Sequence, residues 1–286
     1  MGWQCFATAF ELASPLHIGF HKIGSVQRTR HYLPARNLLA AGAERFVHGG
    51  LFPSYQDALR WVQQHLAFSY LFVAEERELI PCYADEGLKY GELDKKSFER
   101  RYVSAHVTTA IEASGTAEEG SLHEVEFISA HTLDETETPR RTQVSARIFV
   151  RDDAWDVLGD EAALRSHFAQ LQVGGERRYG FGRLRLCPMD WQSKRDICGW
   201  PLTLNAFRPQ VELPRDAPLL AHVPTNEIQA RGMIEPLVGR ETRADSGKFG
   251  RHLTPGRICW VPGSVCENVT ALQFAEDGTW VAARRS

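Results

Sequence analysis

The stretch that most limits how this chain can fold is glycine-rich: "GGERRYGFGR", Gly174–Arg183. It stands between a predicted helix, from about Glu161 to Gln172, and a predicted strand, Arg183 to Cys187. This order excludes a dinucleotide fingerprint, because that motif follows a strand and opens a helix. A P-loop is excluded as well, because Arg183 and Leu184 stand where a lysine and a hydroxyl residue are required. The sequence therefore predicts a loop of another kind.

The side chains of this loop are suited to a polyanion. Arg177, Arg178 and Arg183 can bind phosphates bidentately, and Tyr179 or Phe181 can stack on a base. Glycines allow positive φ and let a ligand come close to backbone N–H groups. The four glycines of the loop are Gly174, Gly175, Gly180 and Gly182. The alternative interpretation is a tight turn whose aromatic residues lie in the core.

The chain before the loop begins with a strand and two helices. Trp3 to Gly19 alternates as a strand does. Pro34 suits the first turn of a helix that ends at Gly49 and Gly50. Ser54 suits the cap of a second helix that continues to about Leu66. The sequence "FSYLFVAE" then predicts a buried strand.

The middle of the chain is rich in predicted strands. They lie at Tyr102–Ala113, Ser121–His131 and Gln143–Arg151, with acidic turns between them. With the helix and strand on either side of the glycine-rich loop, the pattern is β–α, then β-rich, then α–β. This pattern predicts an α+β fold with a ferredoxin-like or RRM-like antiparallel sheet and helices on one face.

The composition of the sequence changes after Asp190. The following stretch has several prolines and short apolar runs, which predicts a second, smaller and strand-rich domain. The predicted domains are therefore residues 1–190, which contain the glycine-rich loop, and residues 191–286.

The composition limits the cofactors and the cell compartment. The six cysteines contain no C-x-x-C pair, so buried free thiols are favoured over a zinc site, and no cofactor or metal is expected. No apolar run approaches the roughly 20 residues that span a bilayer. The N-terminal residues lack the basic lead of a signal peptide. We expect a soluble, cytoplasmic protein.

The charges of the chain are sorted along its length, although the formal net charge is only −3. Residues 117–138 carry seven acidic residues and no lysine or arginine. The segment "QRTRHYLPAR" carries Arg28, Arg30 and Arg36 with no acid, in a predicted loop and helix start where phosphates bind well. Separate faces for separate partners are one interpretation, and ordinary solvated faces are the other.

The glycine-rich loop resembles one found in a known family, the RAMP superfamily of CRISPR-associated proteins, whose loop has the form "GG…GFGR". More narrowly, the chain is similar to the Cas-five group of type III effector complexes, of the Csm-four and Csx-ten types. Supporting stretches are "SPLHIG", "RTRHYLPARNLLAA", "HVTTAIEASGTAEEGSLHEVEFI" and "RGMIEP…TPGRICWVPGSV". They stand in the same order as in the group.

The resemblance implies two ferredoxin-like domains and a non-catalytic RNA-binding subunit. Such a subunit holds the 5′ handle of the guide RNA (crRNA), beside the large signalling subunit and the backbone RAMP subunits of the ribonucleoprotein. The second half contains a basic stretch between Arg231 and Arg257. This stretch is either part of the RNA site or a mobile surface loop. The predicted RNA-binding residues are Arg28, Arg30, His31, Tyr32, Arg36, Gly174, Gly175, Arg177, Arg178, Tyr179, Gly180, Phe181, Gly182, Arg183, Arg231, Arg240 and Arg243.

The alternative function is a metal-independent endoribonuclease that processes precursor crRNA, as the Cas-six proteins of the superfamily do. Such cleavage needs a general base near a 2′-hydroxyl, and histidine is the residue best suited to it at neutral pH. His17, His21 and His31 cluster in or beside the first loop. For each of them a structural or RNA-contacting role is favoured, and Cas-six proteins tend to carry the glycine-rich loop close to the C-terminus, whereas about a hundred residues follow it here. The sequence also has no G-x-S-x-G, no H-E-x-x-H and no Asp-rich metal loop that would indicate another kind of enzyme.

Overall fold

The structure, a computed structural model, describes residues 2–109, 122–133, 138–241 and 252–283. Among these residues, all α-helices lie before residue 187, in the part of the chain that is called the first half below. The elements up to residue 186 are β1 (Trp3–Leu12), β2 (Gly19–Ile23), β3 (Val26–Thr29), β4 (Tyr32–Leu33), α1 (Ala35–His48), α2 (Tyr55–His65), β5 (Leu66–Phe68), β6 (Leu71–Ala74), β7 (Pro81–Ala84), β8 (Gly87–Tyr90), β9 (Leu93–Asp94), α3 (Lys95–Tyr102), β10 (Val103–Thr108), β11 (His123–Ile128), β12 (His131–Leu133), β13 (Pro139–Arg141), β14 (Gln143–Arg151), α4 (Trp155–Leu158), α5 (Glu161–Phe168), β15 (Gln170–Gln172) and β16 (Arg183–Leu186).

The second half is built from short strands. They are β17 (Gln192–Ser193), β18 (Asp196–Ile197), β19 (Trp200–Thr203), β20 (Gln210–Leu213), β21 (Val223–Pro224), β22 (Ala230–Arg231), β23 (Ile234–Leu237), β24 (Arg240–Glu241), β25 (His252–Leu253), β26 (Arg257–Trp260), β27 (Val265–Cys266), β28 (Thr270–Phe274) and β29 (Trp280–Ala282).

The largest sheet has the order β15-β16-β1-β14-β6-β4, and every neighbouring pair is antiparallel. Strand β1 pairs with β14 from Trp3, opposite Arg151, to Glu11, opposite Gln143. Along the chain, β1, α1, β6, β14, α5 and β16 follow the order β-α-β-β-α-β, and their strands lie in the sheet order fourth-first-third-second. The predicted α+β class is confirmed.

The second half adds sheets rather than helices. Strands β18, β19, β20, β28 and β29 form an antiparallel sheet in that order, and β21, β26 and β23 form another. Strand β17 lies against β1 of the first sheet, so the chain crosses into the second half along the first. One continuous hydrophobic core reaches from Phe10 and Leu38 of the first half to Leu219 and Trp280 of the second.

Two predicted helix starts are confirmed. Helix α1 begins directly after Pro34 and ends at Gly49, with Leu38 and Ala41 buried. Helix α2 begins after Ser54, whose Oγ accepts a hydrogen bond from the backbone N–H of Asp57 at 3.2 Å. Both helices therefore start where their local signals placed them.

The helix predicted before the glycine-rich loop is too long. Helix α5 ends at Phe168, and Gln170–Gln172 form β15, which pairs with β16. The periodicity of residues 161–172 did not reveal this change, because the pairing partner of β15 is supplied from beyond the loop. The loop Gly174–Gly182 thus joins two antiparallel strands instead of following a helix.

The strand predicted from Tyr102 also needs correction. Tyr102 is the last residue of helix α3, and the strand β10 starts at Val103. Helix α3 has the sequence "KKSFERRY", in which only Phe98 and Tyr102 form a buried stripe, so its apolar signal is weak. Residues 110–113 of the predicted strand lie outside the described residues.

Candidate nucleic-acid interface

The glycine-rich loop is fixed from behind by the segment that follows β1. The backbone N–H of Gly182 donates to the carbonyl of Pro15 at 2.7 Å, and the N–H of Gly175 donates to the carbonyl of His17 at 2.8 Å. The N–H of Arg183 donates to Ser14 Oγ at 2.9 Å. The loop is therefore held in one position on the rest of the protein before any ligand binds.

This docking explains two of the glycines. A Cβ at Gly182 would lie 1.8 Å from the carbonyl oxygen of Val173, and a Cβ at Gly174 would lie 2.4 Å from that of His17. Both residues also have positive φ, 77° and 79°. Gly180 has a φ of 85° but has no neighbouring atom within 4 Å of an added Cβ. Gly182 and Gly174 are therefore required where two backbone segments pass close to each other. Gly180 is required only for its positive φ in the turn.

The loop presents a tyrosine and two arginines to solvent. Tyr179 is 75% exposed, and Arg178 and Arg183 are exposed. Neither arginine side chain makes a hydrogen bond or ion pair with the described residues. Phe181 is half-buried and packs edge-to-face on Phe127, with ring centroids 5.4 Å apart. The interpretation of the loop as a turn with core aromatics thus fits Phe181 and does not fit Tyr179.

Arg177, the third arginine of the loop, faces helix α1 instead. Its Nη2 donates to both carboxylate oxygens of Glu44, at 2.8 and 2.7 Å. Both side chains of this pair are about one third exposed, at 37% and 32%. The pair leaves Arg178 and Arg183 as the arginines of the loop that are directed to solvent.

The arginines of the first basic segment are engaged in ion pairs. Arg28 Nε donates to Glu126 Oε2 at 3.0 Å, and its Nη2 lies 3.7 Å from Glu99. Arg30 Nη1 donates to Glu235 Oε1 at 2.5 Å, and its side chain is only 12% exposed. The structure thus brings these predicted RNA-binding residues into contact with protein carboxylates.

His31 and Tyr32 are both buried, on either side of the start of β4. The Nδ1 of His31 is hydrogen-bonded to the hydroxyl of Tyr90 at 2.8 Å. Burial, together with the charges of Lys95 and Arg28, lowers the pKa of His31 from 6.5 to about 4. His31 is therefore neutral at physiological pH and belongs to the packing of helix α3.

The other two histidines of this region differ in exposure. His17 is buried beneath the loop, and its Nδ1 lies 2.6 Å from the carbonyl oxygen of Glu126. His21 is exposed on β2, where its ring contacts that of Phe20 at a centroid distance of 4.1 Å. Of the three candidate histidines, only His21 presents its ring to solvent.

A buried polar chain that no sequence pattern indicates links the two halves of the molecule. The hydroxyl of Tyr70 and His222 Nδ1 are 2.7 Å apart, and His222 Nε2 and Glu235 Oε1 are 2.5 Å apart. Burial lowers the pKa of His222 despite the opposing effect of Glu235. The neutral imidazole therefore accepts from Tyr70 and donates to Glu235, whose other partner is Arg30.

The charge state of Glu235 follows from the same contacts. Burial alone raises the pKa of a carboxyl group, but the hydrogen bond from His222 and the charge of Arg30 lower the pKa of Glu235 below its ordinary value. Glu235 is thus a buried carboxylate that holds a cation from the first half and an imidazole from the second. No signal in the sequence pairs Arg30 with a residue so far along the chain.

Of the remaining predicted residues, Arg36 lies in helix α1 and the others belong to the second half. The guanidinium of Arg36 lies against Gly239, where an added Cβ would be 1.7 Å from Nη2. Arg231 is exposed and lines a polar cleft with Arg215 and Gln229. Arg240 lies in β24, opposite Leu253, and Arg243 lies outside the described residues.

The described residues contain neither a candidate metal cluster nor a candidate membrane-spanning helix. Residues 2–109, 122–133, 138–241 and 252–283 contain no group of three or more histidine, cysteine, aspartate or glutamate residues placed to hold a metal ion. The cysteines in these ranges are free thiols, and burial raises the pKa of Cys5 to about 12. None of the helices described is both long and apolar enough to span a bilayer.

Comparison with known proteins shows a shared fold. No family model matches the chain, and no curated protein matches it. A chain in the cryo-EM structure of the Type III-B Cmr-beta bound to cognate target RNA and AMPPnP, in state 1, aligns with a TM-score of 0.53 and 10% identity, over 92% of this chain and 86% of that chain. A chain in the structure of the same assembly bound to cognate target RNA aligns with a TM-score of 0.55 and 9% identity, over 91% of this chain and 86% of that chain. At this identity the similarity establishes the fold of the chain.

Proposed function

We propose that this protein is a non-catalytic, RNA-binding subunit of a type III CRISPR effector ribonucleoprotein, which holds the 5′ handle of the crRNA and contacts the large subunit and the backbone subunits. The observation that carries the proposal is the loop Gly174–Arg183. It is fixed from behind by hydrogen bonds and presents Arg178, Tyr179 and Arg183 outward. An exposed aromatic ring beside unpaired guanidinium groups suits a single-stranded RNA, which offers bases for stacking and phosphates for charge.

The fold supports the same proposal. Both aligned chains come from structures of the Type III-B Cmr-beta bound to cognate target RNA, and each alignment covers more than nine tenths of this chain. The β-α-β-β-α-β order of the first sheet agrees with a ferredoxin-like RAMP domain in residues 1–190. A smaller RAMP-like unit in residues 191–286 is part of the proposal.

The absence of catalysis is proposed from the state of the histidines. His17 and His31 are buried, and each has a ring nitrogen in a hydrogen bond with the protein. A general base for RNA cleavage needs a basic ring nitrogen that can reach a 2′-hydroxyl. His21 is the exposed histidine of this cluster, so it is the residue on which an endoribonuclease would depend.

The proposal is tested by purifying the protein together with its native neighbouring gene products and sequencing the RNA that comes with them. Short RNAs that share one 5′ end support a place at the handle of a guide complex. The variant pair Arg178→Ala and Tyr179→Ala is then compared with Met189→Ala, a matched change at another exposed side chain. RNA without a common end, or RNA retained equally by all variants, overturns the proposal.

Catalysis is tested separately with precursor RNA and the purified protein in the absence of metal. We expect the precursor to remain intact. Cleavage that is lost in a His21→Ala variant would replace the proposed function by the endoribonuclease alternative.

A further inference from the structure

A cleft with a basic lining lies on the side of the glycine-rich loop that faces helix α1. Helix α1 and the hairpin β15–β16 enclose an open cleft of about 430 Å³. Its lining contains four arginines and one acidic residue, and its polar walls are completed by His48 and two glutamines of β15. The polar and charged residues of the lining are Glu44, Arg45, His48, Gln170, Gln172, Arg177, Arg183 and Arg185.

Most of the cleft's arginines are only partly engaged. Arg45 donates through Nε to the carbonyl of His167 at 3.3 Å, and Arg183 makes no side-chain hydrogen bond with the described residues. Arg185 donates through Nη2 to Glu11, which is not part of the lining, at 2.7 Å. A cleft with several cationic donors and little acid is a site for an anion rather than for an apolar ligand.

Glu44 is the acid in this cleft, and it engages Arg177 through a single nitrogen. Nη2 bridges both carboxylate oxygens, while Nε and Nη1 make no hydrogen bond among the described residues. The stronger arrangement of a guanidinium with an oxyanion is the fork, in which two of its nitrogens donate in parallel. Arg177 therefore retains the donors that a phosphate would use. Because the Arg177–Glu44 pair is partly exposed, having to break it lowers the binding constant of a competing ligand by about fivefold at most.

We propose that this cleft is a phosphate-binding site for the backbone of the bound RNA and that Glu44 competes with phosphate for Arg177. In the free protein Arg177 is paired with Glu44. When RNA binds, a phosphodiester takes Arg177 in the fork arrangement, next to Arg45 and Arg183. The competition lowers the affinity for any RNA whose phosphate binds Arg177 in the fork arrangement, since that phosphate has to displace Glu44. This inference rests on the proposed function, because it assumes that the ligand is RNA.

The competition makes a prediction with an unusual sign: removing an ion pair of the protein strengthens binding. Binding of a fluorescently labelled oligouridine of about eight nucleotides, a length within the usual range of single-strand sites, is measured by anisotropy at low salt. We expect Glu44→Gln to bind about two- to fivefold more tightly than the wild type. The matched control is Glu86→Gln, which removes an exposed ion pair with Lys89 elsewhere and should leave the affinity unchanged.

Two further variants complete the test. Arg45→Ala removes an arginine that lies in the cleft but not in the glycine-rich loop and should weaken binding, and it decides the question if Glu44→Gln does not fold. Arg177→Ala should weaken binding less in the wild type than in the Glu44→Gln background, because in the wild type the contact of Arg177 with phosphate is already offset by the loss of its pair with Glu44.

The outcomes separate this inference from the proposed function. A wild type that binds RNA, with Glu44→Gln folded and binding no more tightly, overturns the competition and leaves the proposed function standing. A folded Arg45→Ala variant with wild-type affinity overturns the phosphate site and leaves the loop of the proposed function untouched. A wild type that binds no RNA at low salt overturns both.

Discussion

Arg30 Nη1 lies 2.5 Å from Glu235 Oε1, although the two residues are 205 positions apart in the chain. The contact joins the turn before β4 to β23 of the second half, and His222 occupies the same carboxylate oxygen from the other side. Phe20 covers the guanidinium at 4.7 Å, so the pair is screened from water on that side as well. The first basic segment and the second half are thus parts of one packed structure.

Glu235→Gln should strongly destabilise the protein. The substitution preserves the size of the side chain but leaves Arg30 as a buried cation without its counter-charge, and breaking such a pair costs about 3 kcal/mol of unfolding free energy. Urea denaturation monitored by tryptophan fluorescence measures the loss. The control Glu86→Gln, at a fully exposed pair, should change the stability little. Equal stabilities of the two variants would contradict the role assigned to Glu235.

The buried histidine His31 makes stability depend on pH. Its pKa in the folded protein is lowered from 6.5 to about 4, so between these values the unfolded chain binds the proton and the folded protein does not. Stability is therefore complete above about pH 6.5 and decreases as the pH falls towards 4, by up to about 1.4 kcal/mol per pH unit for one histidine. His222, whose pKa is also lowered by burial, contributes to the pH dependence in the same direction.

The measurement is the denaturation midpoint of the wild type and of His31→Gln across this pH range. We expect the variant to be less stable at neutral pH and to show a shallower dependence on pH. His21→Gln, a change at the exposed histidine, should leave the slope unaltered. A His31→Gln variant with the wild-type slope would show that another group causes the acid sensitivity.

The two kinds of glycine in the loop should differ in their response to alanine. At Gly182 a Cβ would lie 1.8 Å from the carbonyl oxygen of Val173, so Gly182→Ala has to displace one strand of the hairpin from the other. At Gly180 the space is open, and Gly180→Ala costs only the left-handed backbone conformation, about 1–2 kcal/mol. Hydrogen exchange of the β15–β16 amides distinguishes them. Equal protection in both variants would contradict the docking argument.

The parts of the fold that the sequence predicted well are those with a local cause. The cap at Ser54 depends on neighbouring residues and lies where it was expected. The alternation from Trp3 gave the start of the first strand correctly, but the strand was expected to reach Gly19 and it ends at Leu12. Helix α3 was missed, although Asp94 accepts a hydrogen bond from the N–H of Ser97 at 2.8 Å and is a readable N-cap. Strand β15 could not be read locally, because a three-residue strand is defined by its partner across the loop.

The site was harder to predict, because residue type does not reveal which charges are already paired. Arg30 and Arg178 have the same chemistry in the sequence, yet the structure buries Arg30 against Glu235 and leaves Arg178 in solvent. The glutamate partners Glu44 and Glu235 belong to distant elements, so no spacing rule identifies them. Clusters of arginine therefore indicate a basic region, and only the tertiary structure separates structural arginines from those that can bind a ligand.

Arg178 and Tyr179 should contribute to RNA binding in different ways, because one offers a charge and the other a ring. Tyr179→Ala should weaken binding of single-stranded RNA by about 1–3 kcal/mol, with little dependence on salt, since base stacking is the interaction lost. Arg178→Ala should weaken binding mainly at low salt and reduce the slope of log affinity against log salt by about 0.7, the value for one phosphate of a single strand. Both side chains are exposed, so neither change should alter the melting temperature. A salt titration of both variants and the wild type measures this difference; equal slopes for Arg178→Ala and the wild type would remove Arg178 from the phosphate contacts.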